Sequence, residues 1–102
     1  MPKPEEVWVK IHRQGDHVLV AICDAELLGR ELKQGKLVIK VSEHFYGGFR
    51  LDVEEALKIA EEADSINLMG GRVVEAAARR GLIDREAVVT IASVPYAMAV
   101  KV

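Results

Sequence analysis

The segment from Ser42 to Phe49 holds the side chains of this chain that are best suited to chemistry. A hydroxyl, a carboxyl, an imidazole, a phenol and two glycines occur there, and such groups bind ligands or transfer protons when a fold assembles them. The candidate ligand-binding residues of this segment are Ser42, Glu43, His44, Tyr46, Gly47 and Gly48. No nucleophile elbow, metal-binding His pair or Cys–His signature surrounds them in the sequence. Hydrogen bonding is therefore the favoured role, and acid–base catalysis by His44 with Ser42 or Glu43 is the alternative.

A second candidate site follows a predicted strand, where Asn67 precedes Gly70, Gly71 and Arg72. Small residues at a helix start expose its amides to a phosphate or carboxylate, and a guanidinium adds a forked donor. The full dinucleotide glycine fingerprint and the P-loop lysine are absent, so close packing of helix against sheet is the stronger explanation of the glycines. Tyr96, in a third predicted loop, completes the candidate set.

Composition narrows the class of function. A chain of 102 residues, half of them apolar, fits one domain over residues 1–102. A net charge of -2 gives no general attraction to nucleic acid. The longest apolar run, Val18 to Cys23, is too short to span a bilayer, and Met1–Glu6 lacks the apolar core of a signal peptide. We therefore expect a cytoplasmic protein with no membrane partner.

Four arginines nevertheless concentrate positive charge in the second half of the chain: Arg72, Arg79, Arg80 and Arg85. A surface for RNA and an interface for a partner or another copy are two explanations of this cluster. Ordinary solvated charge, with the last-turn arginines complementing the helix dipole, is the favoured one. The high charged fraction of 29% with only three Asn and Gln residues leans towards a thermophilic source.

The metal-ligating residue types are sparse. Cys23 is the single cysteine, which excludes an internal disulfide and a cysteine cluster for zinc. Its place at the end of an apolar run favours an inert buried thiol over a nucleophile. His12 and His17 flank a predicted turn, are expected at the surface, and have a spacing that defines no metal site. We predict neither a metal nor a cofactor.

Periodicity and capping residues predict the elements that must position these candidates. Alternation in Val7–Ile11 and an apolar run in Val18–Cys23 predict a hairpin, after which Asp24 is expected to cap a short helical turn. Helical spacing after Asp52, an expected N-cap, predicts one helix, and Arg72 to Arg80, ended by Gly81, predicts another. Further strands are predicted at Leu37–Val41, Ser65–Leu68, Val88–Ile91 and Tyr96–Val102. The fold class is therefore α+β or α/β, with one mixed sheet of about five strands and two main helices packed on it.

The order of elements between Leu37 and Ile91 is strand, helix, strand, helix, strand. This order predicts two βαβ crossovers that make the three strands parallel. In a parallel sheet the segments after each strand open on one edge, so the loops at residues 42–49, 67–72 and 93–96 are expected to meet there. The sequence thus predicts one composite site.

Three segments carry a family resemblance: Ile22–Gly29, Val41–Gly48 and Ala63–Gly70. With the Phe45-Tyr46-Gly47-Gly48 motif as its most specific part, the chain resembles the archaeal domain-of-unknown-function family 424 over nearly its whole length. The resemblance implies a small archaeal cytoplasmic protein and supplies no activity, cofactor or catalytic residue; a link to translation follows by association only. The family pattern leads us to expect an acid in place of Gly71 and often His in place of Tyr96, and both departures weaken an enzymatic interpretation.

Three functional hypotheses follow. The first is a non-catalytic binding module whose three loops hold an anionic partner, either RNA, a nucleotide or a ribosome-associated component. The second is a small hydrolase or transferase that uses His44 as acid or base. The third is a structural homo-oligomer subunit in which the apolar strand from Met98 to Val102 pairs with a second copy.

Overall fold

The structure is a computed structural model that describes residues 6–101. Its strands are β1 (Glu6–Gln14), β2 (His17–Asp24), β3 (Glu31–Gln34), β4 (Leu37–Lys40), β5 (Phe49–Asp52), β6 (Ser65–Met69), β7 (Val89–Ile91) and β8 (Val94–Val100). Its helices are α1 (Glu43–Tyr46), α2 (Val53–Glu61) and α3 (Gly71–Arg79), with 3₁₀ turns at Ala25–Leu27 and Arg85–Ala87. No helix among these residues is long and apolar enough to cross a membrane. The predictions made for residues 1–5 and for Val102 lie outside the described part of the chain.

The protein has an α+β fold built on a mixed sheet, as the sequence predicts. Six strands form the main sheet in the order β5-β1-β2-β6-β8-β7, and β3 pairs with β4 in a separate two-stranded sheet. Within the main sheet only β2 and β6 run parallel, and the other neighbours are antiparallel. The β1–β2 hairpin is confirmed, with Val9 opposite Ile22. The sheet therefore has one more strand than the five predicted, and the β3–β4 hairpin is additional.

The predicted set of three parallel strands is wrong. Leu37–Lys40 pairs antiparallel with Glu31–Gln34 across a tight turn and does not enter the main sheet. Val89–Ile91 pairs antiparallel with β8 through a two-residue turn, and because β8 is also antiparallel to β6, β6 and β7 run in the same direction as predicted without being neighbours. A turn this short connects only antiparallel strands, whereas a parallel pair needs a long crossover. The pattern of β4 also fits an exposed hairpin, since most of its residues face solvent.

The two faces of the main sheet have different coverings. Helices α2 and α3 cover one face and bury alternate residues of the central strands, among them Val7, Val9, Val20, Ile22 and Leu68. The helices contribute Leu57, Val73 and Ala77 to the same cluster. The β3–β4 hairpin and α1 cover part of the other face, where the buried cluster contains Ala21, Cys23, Leu32, Val41, Tyr46 and Met69. The partial cover leaves room for a pocket on this second face.

Local signals in the sequence correctly place the start of α2 and the end of α3. The Asp52 carboxylate accepts a hydrogen bond from the Glu54 amide at 2.9 Å, as an N-cap does. Gly81 follows α3 with φ 75°, and the Leu82 amide donates to the Ala77 carbonyl, which closes the last turn. The strand β5, which ends at Asp52, was not predicted from the sequence.

The start of α3 is capped from a distant strand. Its N-cap residue is Gly70, which has no side chain, and the Asp24 carboxylate at the end of β2 accepts from the amides of Arg72 and Val73 at 2.9 and 3.0 Å. The prediction that Asp24 caps its own following turn is wrong, since that turn has no side-chain cap. Burial raises the pKa of Asp24, while the two amides and the Arg72 guanidinium oppose the rise. A tertiary contact has replaced the local cap.

Gly70→Ala should destabilise the protein more than Gly15→Ala, because the two glycines share a positive φ but differ in their surroundings. Gly15 has φ 59° and open space, so we expect a loss of about 1 kcal/mol from backbone strain. At Gly70, with φ 122°, a Cβ would lie 2.5 Å from Asp24 Oδ2, so we expect a loss of about 3 kcal/mol or more. Chemical denaturation measures both free energies of unfolding. Equal losses would contradict the close approach of Gly70 to Asp24.

Candidate ligand-binding pocket

A pocket of about 300 Å³ opens on the second face of the main sheet, between α1, the β3–β4 hairpin and the strands β6, β7 and β8. Its lining comprises Ile39, Lys40, Ser42, Phe45, Tyr46, Asn67, Met69, Ile91 and Tyr96. A larger groove of about 540 Å³ between β5 and α2 is more open to solvent, and its polar residues, Glu55, Lys58 and Glu62, are exposed charges of one helix segment. The first pocket is less open and polar side chains from three elements converge on it, so it is the candidate site.

Three side chains from three elements form a hydrogen-bonded row in this pocket. The Tyr46 hydroxyl on α1 donates to Asn67 Oδ1 on β6 at 2.5 Å, and Asn67 Nδ2 donates to the Tyr96 hydroxyl on β8 at 3.0 Å. Asn67 is only 8% exposed, so both of its polar atoms need such partners. The Tyr96 hydroxyl proton has no acceptor within residues 6–101. The row therefore ends in a donor that is free for a ligand.

The first member of the row is held as a neutral donor. Burial is the main cause that raises the pKa of Tyr46, and the neighbouring Tyr96 and Cys23 add to the rise. A phenol with a raised pKa keeps its proton at neutral pH. Tyr46 therefore orients Asn67 by donation and is unsuited to act as a base.

A hydrogen-bonded cap, ring stacking and close backbone packing fix α1 against β1. The Ser42 hydroxyl accepts from the Phe45 amide at 3.2 Å and caps the helix. The Phe45 ring stacks on His12 with centroids 4.8 Å apart, and His12 Nε2 lies 2.8 Å from the Phe45 carbonyl oxygen. A Cβ on Gly48 would lie 2.3 Å from the Val9 carbonyl oxygen, so only glycine permits this approach. His12, expected at the surface, is half-buried as a support of the site.

The pocket brings together four of the residues predicted as ligand-binding candidates, which are Ser42, Tyr46, Asn67 and Tyr96. Glu43 and His44 are exposed and do not line it. The His44 carbonyl accepts from Lys10 Nζ at 2.7 Å, but its ring has no hydrogen bond to Ser42 or Glu43. The geometry required for acid–base catalysis by His44 is therefore not assembled.

Gly47 and Gly48 do not line the pocket, but each occupies a position where a side chain would clash with a neighbouring backbone atom. A Cβ on Gly47 would lie 2.5 Å from the Glu43 carbonyl oxygen, which accepts the Gly47 amide at the end of α1. With Gly48 against β1, the pair lets the chain leave α1 and enter β5 without a clash. Their contribution to the site is to set the position of α1.

Gly70, Gly71 and Arg72 also lie outside the pocket lining. The amides at the start of α3 already bind a carboxylate, that of Asp24. The Arg72 guanidinium donates to both oxygens of Glu26 at 3.0 Å, and this contact lowers the pKa of Glu26. The anion bound at this helix start is the protein's own side chain.

Ion pairs also engage other arginines of the basic cluster. Arg80 lies 3.4 Å from Glu54 and 3.3 Å from Glu61, and Arg85 pairs with Glu75. Across the described ranges no group of three or more His, Cys, Asp and Glu side chains could hold a metal ion. The concentration of positive charge seen in the sequence is therefore largely compensated at these positions.

Five pocket residues were not among the predicted candidates: Ile39, Lys40, Phe45, Met69 and Ile91. Three of them are apolar strand residues, whose pattern predicts burial but not which strands meet. Lys40 is an exposed lining residue whose ammonium makes no hydrogen bond or ion pair with the described residues. The one sequence signal for a role of Lys40 in the site was its position just before the predicted loop at residues 42–49.

The Cys23 thiol, in the same apolar cluster as Tyr46, should resist modification in the folded protein. Its side chain is fully buried, and burial and the nearby Asp24 raise its pKa to about 12. A thiol reagent should label it only on unfolding; rapid labelling of native protein would contradict this burial. Because the folded state favours the protonated thiol, this stabilisation is present below pH 9.0 and is lost as pH rises through about 12.

Comparisons with known proteins give the chain a family. Residues 12–102 match the family described as "Protein of unknown function (DUF424)". A crystal structure of an uncharacterized conserved protein from Methanopyrus kandleri superposes with a TM-score of 0.81 at 28% sequence identity, covering 95% of this chain and 94% of that one. A search of curated proteins finds no match. The chain thus belongs to the DUF424 family, as the resemblance of its Phe45-Tyr46-Gly47-Gly48 segment implies.

Proposed function

We propose that this protein is a non-catalytic binding module for a small ligand that combines a flat apolar group with an anionic group, as a nucleotide does. The observation that carries this proposal is the hydrogen-bonded row that ends in the free Tyr96 donor inside an otherwise apolar pocket. A few convergent polar groups on apolar walls are the usual composition of a ligand site.

The shape and lining of the pocket support a flat group at its base. Phe45 and Tyr96 contribute aromatic surface, and Met69 and Ile91 contribute aliphatic surface. Such walls favour a ring that stacks and excludes water, while the Tyr96 hydroxyl donates to an acceptor on the ring edge. The volume of about 300 Å³ is at the small end for ligand pockets and suits a single nucleotide unit.

Lys40 supplies a positive charge for the anionic group. It lines the pocket and makes no ion pair with the described residues, although Glu31 lies opposite it in β3, so a phosphate or carboxylate would gain a favourable contact there. The compensated arginines offer no comparable track for a long polyphosphate. A free nucleotide is therefore better supported than extended RNA or a ribosome-associated partner.

Catalysis by His44 has less support. The imidazole is exposed and outside the pocket, and the Ser42 hydroxyl is engaged as a helix cap. The imidazole is therefore not placed to act on a molecule that contacts Tyr96, whereas Ser42 lines the pocket but has no side-chain base hydrogen-bonded to its hydroxyl among the described residues. His44 consequently serves as a test residue that separates the binding hypothesis from the enzymatic one.

Titration with the four ribonucleoside 5′-monophosphates, followed by calorimetry or NMR shifts, tests the proposal. We expect Tyr96→Phe to weaken binding about tenfold, because it removes one ligand hydrogen bond and keeps the ring. Lys40→Met should weaken binding about fivefold and reduce its salt dependence, because a single partly exposed charge is lost. Both variants should keep the fold.

Two control variants make the result specific. Lys36→Met removes the same charge from the turn of the same hairpin, outside the pocket lining, and should leave affinity unchanged. His44→Ala should also leave affinity unchanged. The proposal fails if none of the four nucleotides binds, or if Tyr96→Phe and Lys40→Met bind as tightly as the unaltered protein. Turnover that is lost in His44→Ala would favour the enzymatic hypothesis instead.

A further inference from the structure

One strand of the main sheet is longer than its outer neighbour. β8 pairs with β6 as far as Val100. On its other side β8 pairs with β7 only as far as Tyr96, which lies opposite Val89, the first residue of β7. The chain before β7 forms a 3₁₀ turn and does not extend the pairing. The last residues of β8 therefore form an open sheet edge in the described protein.

The direction of the hydrogen bonds identifies the open groups. The Lys101 amide donates to the Asp64 carbonyl on the β6 side, so odd-numbered residues of β8 bond towards β6. Even-numbered residues then bond towards the outer side, where Tyr96 meets β7. The N–H and C=O groups of Met98 and Val100 point to the same side and have no strand opposite them.

The side chains at this edge are apolar and exposed. Met98 is 60% exposed and Val100 is 66% exposed, and no charged residue occurs from Val94 to Val100. Natural edge strands are usually protected by charges, bulges or covering segments. The opposite edge, β5, has such protection, since it carries Arg50 in an ion pair with Glu6.

We propose that this edge pairs with the same edge of a second copy of the chain, with the strands antiparallel and the two-fold axis at Ala99. This register places Met98 of one copy opposite Val100 of the other. Each of the four free main-chain groups of one copy then finds its complement in the other, giving four intermolecular hydrogen bonds. A register shifted by two residues towards Tyr96 would use groups that already bond β7.

The edge is suited to a second copy by its own composition. An antiparallel pair of identical strands is self-complementary, so the contact closes at two copies. An uncharged strand meets its copy without like-charge repulsion, and Met98 and Val100 gain cross-strand apolar contacts on one face of the sheet. The result is a continuous sheet through two molecules. This inference uses a surface separate from the nucleotide pocket and does not depend on it.

Sedimentation velocity or light scattering over a concentration series, up to millimolar protein, tests the dimer. Unaltered protein should shift from one to two copies as concentration rises. Met98→Lys and Val100→Lys should each raise the dimer dissociation constant at least about tenfold, because a desolvated cation replaces an apolar cross-strand pair twice over. Val38→Lys, a change at a comparably exposed apolar residue on β4, is the matched control and should not affect dimerisation.

A double variant tests the register. Met98→Lys combined with Val100→Glu places opposite charges across the two-fold axis and should recover most of the dimerisation lost in Met98→Lys. A single-copy mass at every concentration would overturn the proposal, and so would a dimer that Met98→Lys leaves unchanged. If the double variant does not recover dimerisation, the proposed register is wrong. Thermal unfolding of each variant distinguishes loss of the contact from loss of the fold.

Discussion

The carboxylate of Asp24 is the contact on which the central architecture depends. It ends β2, is only 4% exposed, and binds two amides at the start of α3. Because β2 and β6 are parallel neighbours and α3 follows β6 directly, this one side chain fixes the strand-to-helix turn at Gly70. A buried carboxylate is stable there because amides and the Arg72 guanidinium compensate the loss of water. Two amides of this helix start are thereby bound to an internal carboxylate.

The unequal covering of the main sheet determines where function can reside. The face under α2 and α3 is filled by aliphatic side chains and offers the core. The other face is covered by a one-turn helix and a hairpin, which leave Asn67 and Tyr96 accessible from one side. A polar residue such as Asn67 is tolerated in the middle of the sheet because two phenols satisfy it.

Residues of three predicted loops do line one pocket: Ser42, Asn67 and Tyr96. The prediction relied on three parallel strands that open at a common edge. This holds for β6 and β7, which run in the same direction on either side of β8, but not for β4, which lies outside the main sheet. Ser42 meets the others because the hairpin and α1 fold across the sheet face. The predicted anion site at Gly70 to Arg72 lies outside this pocket, and the amides at its helix start bind the Asp24 carboxylate.

The sequence by itself determined what depends on residues a few positions apart. The β1–β2 hairpin, the cap by Asp52 and the helix end at Gly81 follow from local hydrogen bonds and from the period of apolar residues. Only the tertiary structure decided which strands pair and which side chains meet. Asp24 lies 48 positions from Arg72, and Asn67 lies 21 and 29 positions from its two tyrosines. Such contacts depend on competition among strand pairings across the whole chain, which periodicity does not encode.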